Sequence, residues 1–349
     1  MKDLLKVILI ISAIVSCTRI SENPESGVFT GNGVFIVNEG NFMGGNGSLS
    51  FFSYDSMKIY NDLFYQVNGR PLGDVPNSIL IYKDKIYVVV NNSGKIEVID
   101  QSTLESKATI NKLISPRQME IVGENKAYVS SLYSDSVAII NLTDNSISGY
   151  INLRRSSESI IITGDKAFIS NWTEGNEIMV INTLNNQVID SVEVGIEPES
   201  MVIDKDHKIW ALCNGGWARQ NFAELYVINS NTNDIEKKFV FPTKQASPSS
   251  LKIDGLGQTI YYLDNGLRKM DIYSAALPLT PLIPESGGYF YKIGINPSNS
   301  DIFITDAVDF TQQGYLLMYK HDGTFVFKQR ADIIPASMCF QVRVNSQTI

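Results

Sequence analysis

Short apolar runs recur along the chain inside a fixed polar frame. Seven of them read GVFIVNEG (33–40), KIYVVVNN (85–92), KAYVSSLY (126–133), KAFISNWT (166–173), KIWALCNG (208–215), TIYYLDNG (259–266) and DIFITDAV (301–308). Each is rich in β-branched and aromatic residues and ends on polar or glycine-bearing turn residues, which predicts strands. One aromatic holds the same place in every run: Phe35, Tyr87, Tyr128, Phe168, Trp210, Tyr261 and Phe303. The steps between them are 52, 41, 40, 42, 51 and 42 residues. The period is therefore about forty, with two insertions of about ten.

Each run is followed by a second apolar stretch, such as SLSFFSYD, GKIEVID or ELYVINS, and then by a third, such as ESKATIN or NQVIDSVEV. A fourth precedes the next unit, usually behind Pro or a Ser cluster: PNSILIY, PRQMEIV, SSESIII, PESMVID, PSSLKID, GGYFYKIGI and PASMCFQV. Four strands at this period predict an all-β fold, a seven-bladed β-propeller of four-stranded blades. No unit carries the 3.6-residue period of a helical repeat. The first unit lacks a preceding inner strand and the last, PASMCFQV (335–342), lacks a successor. Pairing them would close the ring and remove its free edges. One propeller domain is expected over residues 30–349. The stretches KIYVVVNNSGKIEVIDQSTLESKATI and KAFISNWTEGNEIMVINTLNNQVIDSVEVGIEPESMVID resemble the YVTN-type, YncE-like (surface-layer) propeller repeat, over nearly all of residues 30–345.

The N-terminal pattern is different. MKDLLKVILIISAIVSC has two lysines around the start of a short apolar core, and Ile14-Val15-Ser16-Cys17 resembles the lipobox of bacterial lipoproteins. The core is too short for a permanent span and suits a signal peptide. Residues 1–16 are expected to be that peptide, Cys17 the lipidated residue and residues 17–29 a flexible tether. The expected location is the outer membrane, lipid-anchored and exposed at the cell surface. SENPESG and its neighbours carry few acids, so the surface-export signal is weak. Three Asp-Ser-apolar tripeptides, at Asp55, Asp135 and Asp190, resemble O-glycosylation sites. A net charge of −8 argues against a general nucleic-acid partner, which needs a basic stripe. With Cys17 lipidated, Cys213 and Cys339 remain; they read as two free buried thiols, with one disulfide as the alternative.

Candidate chemistry gathers on one face. The loops joining second and third strands include NEGNFMGGNGS (38–48), SLYSDS (131–136), NWTEGN (171–176), NGGWARQNFA (214–223) and DAVDFTQQ (306–313). They carry Asn41, Phe42, Tyr133, Trp172, Trp217, Arg219, Phe222 and Phe310. The inter-blade loops of the same face add Arg117 and Arg155. Turns on the opposite face, such as YKDK, GENK and TGDK, are short and charged. Aromatic side chains and arginine anchor interfaces, so these ten residues are the candidate ligand-binding set. Packing beneath their own loops is the bland alternative for each. Asn38, Asn91, Ser130, Asn171, Asn214, Asp264 and Asp306 end the second strands, where polar groups commonly satisfy loop backbone.

Catalysis has little to stand on. His207 and His321 are the chain's two histidines, both in short turns of the opposite face, and no nucleophile–base–carboxylate set is visible. No catalytic residue, metal site or cofactor is predicted. The lipobox, VFIVNEGNFMGGNGSLSFF, DVPNSILIYKDKIYVVVNNSGKIEVID and the Asn-rich loops resemble the BtuG-like surface lipoprotein propellers of Bacteroidetes. That resemblance implies capture of cobalamin or a related corrinoid, as small-molecule ligand, and its delivery to a TonB-dependent outer-membrane transporter. Two other readings stand beside it: a propeller that binds a glycan or protein through the same face, and a metal-dependent lyase or lactonase.

Overall fold

The computed structural model describes residues 31–342. The signal peptide, Cys17 and tether expected from the sequence fall outside the described residues, as do residues 343–349. None of the described helices is long and apolar enough to cross a membrane.

Among the described residues, twenty-eight strands form seven four-stranded antiparallel sheets. The expected seven-bladed, all-β propeller is therefore the observed fold. The first blade is closed as the unmatched ends require: Pro335–Gln341 pairs antiparallel with Gly33–Asn38 as its innermost strand. The inner strands of the next six blades are Pro76–Tyr82, Pro116–Gly123, Ile160–Thr163, Pro198–Ile203, Ser249–Ile253 and Phe290–Ile295. Each touches the inner strand of the next blade, so the seven ring a central channel.

The seven repeat aromatics are all 0–1% exposed. They fill the wedges between neighbouring sheets, where flat side chains close the gap left by splayed blades. Tyr128 donates from its hydroxyl to Asn186 Oδ1 of the following blade at 2.5 Å, and Trp210 from Nε1 to Asp204 Oδ2 at 2.8 Å, so their polar ends are satisfied. The first ten-residue insertion becomes the short helix Leu63–Asn68, with Leu63 and Phe64 buried against the first blade. Arg70 lies over the Phe64 ring and pairs with the fully buried Glu97, Nη2 to Oε1 at 2.6 Å. The second insertion lengthens the loops 214–223 and 241–248, on either side of the hairpin formed by Glu224–Asn229 and Ile235–Val240.

The inner strands are also stitched to one another. The backbone N–H of Ile160, Met201, Leu251 and Ile293 donates to Gln118 Oε1, Ser159 Oγ, Ser200 Oγ and Ser250 Oγ of the preceding blade, at 3.0, 3.3, 3.0 and 3.0 Å. Gln118 and three serines thus link four successive pairs of inner strands by inter-blade hydrogen bonds around the channel.

Candidate functional site

The channel mouth is shaped by a repeated irregularity. In six of the seven blades the pairing of inner and second strands slips by one residue at its top end, as between Pro76 and Ser78 or Pro198 and Ser200. Such a bulge places two consecutive side chains where a regular strand would offer one. Asn77 with Ser78, Arg117 with Gln118, and Glu199 with Ser200 accordingly all line the channel. Strain accompanies it. Val75, Ser115, Glu197 and Ile334, each just before the inner-strand proline, have φ of 56, 40, 55 and 52°. In that conformation their carbonyls accept from Asn91, Leu132, Asn214 and Glu39 N–H at 2.8, 3.0, 3.1 and 2.9 Å. These bonds hold a backbone state that β-branched Val75 and Ile334 would otherwise avoid.

The mouth that results is densely charged. Arg117 grips Glu158 of the next blade at two points, Nε–Oε2 2.6 Å and Nη2–Oε1 2.8 Å. Tyr291 donates from its hydroxyl to Glu39 Oε1 at 2.8 Å. Lys292 approaches Glu199 at 3.5 Å, and Ser200 Oγ donates to the same carboxylate at 2.5 Å. Burial lifts the Glu39 carboxyl above its ordinary value, against the pull of Tyr291, Lys292 and Arg117. Burial and the neighbouring Glu39 push the Tyr291 hydroxyl well up as well. Deeper in, Glu120 and Lys252 line the same cavity, whose volume is about 230 Å³. Burial raises the Glu120 carboxyl and lowers the Lys252 ammonium. The site offers fixed cations, two carboxyl groups drawn toward their protonated forms and a ring of hydroxyls, which suits polar recognition.

Around this mouth the sequence-predicted residues divide. Trp217, Tyr133 and Phe42 stand out at 94, 78 and 71% exposure, and Met43 beside Phe42 at 79%. Phe222 is exposed under Lys244, whose Nζ lies 5.6 Å from its ring centre, and Arg219 is exposed with φ of 53°. Trp172 is half-buried. Phe310 packs edge-on against Tyr289 and Tyr291, at 4.9 and 5.2 Å between ring centres, and so joins the mouth. Arg155 is paired with Glu177, although its Nε has no hydrogen-bond partner. Asn41 serves the loop itself and its neighbour: its side chain donates to Thr311 O, its N–H to Asn46 Oδ1. Arg117 alone of the ten lines the channel.

The polar ends of the second strands act on loops and strands. Asn91 donates to Ser115 Oγ and Pro116 O, Asn171 to Ser156 O, and Ser130 to Glu158 O, while Asp306 Oδ1 receives Tyr289 and Val308 N–H. Asn38 donates to Ser48 and Ser50, Asn214 receives Gly216 N–H, and Asp264 sits 3.8 Å from Arg268. Cys213 and Cys339 are free. His207 and His321 are exposed on the far face. Among the described residues no three His, Cys, Asp or Glu side chains gather as a metal site.

Sequence reasoning missed Glu120, Glu158, Glu199, Lys252, Tyr291 and Lys292. For Glu158, Glu199, Tyr291 and Lys292 the signal was the pair that follows each crossover (NS, RQ, ES, ES, SS, YK, AS), which reads as turn polarity until the bulge is known; Glu120 and Lys252 lie two residues further on and carry no such mark.

Residues 32–327 match the model of a family described as a domain of unknown function, DUF5074. No curated protein matches the chain. Solved structures do. A quinonprotein alcohol dehydrogenase-like protein from Bacteroides thetaiotaomicron aligns with TM-score 0.69 at 15% identity, covering 89% of this chain and 78% of that one. A protein from Bacteroides uniformis provisionally assigned as a 6-phosphogluconolactonase gives 0.66 at 10%, covering 89% and 99%. Hydrazine synthase of Kuenenia stuttgartiensis gives 0.63 at 15%, covering 75% and 88%. At such identities the likeness is one of fold.

Proposed function

We propose that this chain, which belongs to the DUF5074 family, is a ligand-capturing surface lipoprotein whose ligand is cobalamin or a related corrinoid. One observation carries the reading: Trp217, Tyr133 and Phe42 stand exposed on the same face as a polar, charged channel mouth. Large exposed aromatics rimmed by polar loops mark binding surfaces. A corrinoid has an apolar ring face and a fringe of amides. Exposed rings would cover the first at small entropic cost, and the Asn-rich loops with Arg219 would meet the second. Lipidated Cys17 would hold the propeller at the outer membrane, where it would pass the vitamin to a TonB-dependent transporter. Binding without turnover fits the placement of His207 and His321 away from this face.

Gel filtration after incubation with cyanocobalamin tests the proposal. A pink protein peak is expected. A colourless peak at micromolar vitamin overturns it, and retention on a polysaccharide gel that falls in Trp217→Ala would then favour a glycan.

A further inference from the structure

Two charges stand in the channel where the fold has no need of any. The residue of the inner strand paired across from the repeat aromatic is the same structural position in all seven blades. It is Leu80 opposite Tyr87, Ile161 opposite Phe168, Val202 opposite Trp210, Gly294 opposite Phe303 and Cys339 opposite Phe35. Five blades therefore fill it with an apolar or small residue. The third blade places Glu120 there, opposite Tyr128, and the sixth places Lys252, opposite Tyr261. Three blades apart in a ring of seven, they face the channel from nearly opposite sides, and both line the cavity of about 230 Å³.

Neither is used to hold the propeller together by an ion pair. Among the described residues Glu120 and Lys252 form no salt bridge. Glu120 receives one hydrogen bond, from Gln118 Nε2 at 2.8 Å, and Lys252 Nζ makes none. The remaining charges of the channel are engaged with each other at its mouth: Arg117 with Glu158, Lys292 with Glu199, and Glu39 with the Tyr291 hydroxyl. Lys252 stands open to the channel and Glu120 is half-buried; each feels the other's charge only across the cavity, with Glu199 also acting on Lys252. Five sister positions show that the fold needs no charge here. Two opposite charges that face one cavity from nearly opposite walls without meeting point to a ligand between them.

We propose that the channel binds a small zwitterion, an amino acid in the broad chemical sense, with its carboxylate on Lys252 and its ammonium on Glu120. Such a ligand neutralises both walls at once and adds no net charge. The cavity, about 230 Å³ and open along the channel, has room for a small amino acid between the two walls. This site is independent of the aromatic rim and of whatever that rim captures.

A length series tests it. Glycine, β-alanine, 4-aminobutyrate and 5-aminopentanoate are titrated calorimetrically into the full chain, with propionate and propylammonium as single-charge controls. One length is expected to bind best, and both controls at least about tenfold more weakly, since each forfeits one charged contact. Lys252→Met and Glu120→Gln should each weaken that best ligand by about tenfold or more. Glu120→Gln keeps the side chain's shape, and thermal melts run alongside show that lost binding is not lost fold. The proposal is overturned if no member binds below about 10 mM, or if Lys252→Met binds the best member as wild type does.

Discussion

The side-chain amide of Asn41 donates to the main-chain oxygen of Thr311 across 3.2 Å, joining the first top-face loop of the chain to the last. The loop 38–48 is built for this contact. Asn41 N–H donates to Asn46 Oδ1 at 2.8 Å, and Asn46 Nδ2 returns a bond to Asn41 Oδ1 at 3.2 Å. Gly40 has φ of 71°, and a Cβ on it would lie 2.4 Å from Asn46 Oδ1, so no other residue fits. Asn41→Ala should therefore cost about 1 kcal/mol and speed amide exchange at residues 40–47, with the strands unchanged. Wild-type exchange rates across that loop would refute the staple.

Arg117 and Glu158 are both mostly buried, at 19 and 14% side-chain exposure, and they meet at two points. Arg117→Met leaves a carboxylate in the channel mouth without its cation, an outcome that costs about 3 kcal/mol. Arg117→Met with Glu158→Leu should recover most of that loss, because no unpaired charge remains. Chemical denaturation of wild type, both single variants and the double variant reads the coupling directly. A double variant as unstable as the two singles added together would show that the pair does not act as a unit.

Glu39 gives the channel a pH dependence of known sign. Burial holds its carboxyl above the usual 4.5, although Tyr291, Lys292 and Arg117 pull the other way. The folded protein keeps that proton to higher pH than the unfolded chain does. The contribution is whole below 4.5 and is lost as pH rises through the folded value. Glu120 adds to the same trend. Glu39→Gln retains an acceptor for the Tyr291 hydroxyl and removes the titration. Its melting temperature should gain on that of wild type as pH is raised from about 4.5 toward neutrality. Parallel profiles for the two proteins would remove Glu39 from the account.

The propeller was legible because its repeat is chemical. Phe35, Tyr87, Tyr128, Phe168, Trp210, Tyr261 and Phe303 recur since every blade must fill the same wedge, and a buried wedge tolerates few residue types. The unpaired ends at Gly33 and Pro335 likewise announced the closing strand. The site was legible only in part. Trp217 and Tyr133 declared themselves as aromatics in polar loops. Arg155 and Phe310 belong to the same interface-anchoring residue types, arginine and aromatics, yet Glu177 and the Tyr289–Tyr291 pair engage them, and such partners are not adjacent in sequence. The channel charges were hidden for a different reason. A period of two assigns alternate residues to alternate faces, and the bulge that turns both Arg117 and Gln118 inward breaks that rule without any marker of its own.

Trp217 separates binding from folding most cleanly. At 94% exposure its indole contributes almost nothing to packing, so Trp217→Ala should change stability by less than about 0.5 kcal/mol. Tyr133, at 78%, should behave the same way. If the rim is the capture surface, each loses an aromatic contact worth on the order of 1 kcal/mol or more, and cyanocobalamin affinity should fall about tenfold. Deleting residues 41–45 removes Phe42, Met43 and the Asn41 staple together, and should weaken capture further while the blades still fold. The far face supplies the control: Lys83→Ala, in a turn between inner and second strands, should bind as wild type does. Equal affinity in the Trp217, Tyr133 and far-face variants would move the ligand off the rim.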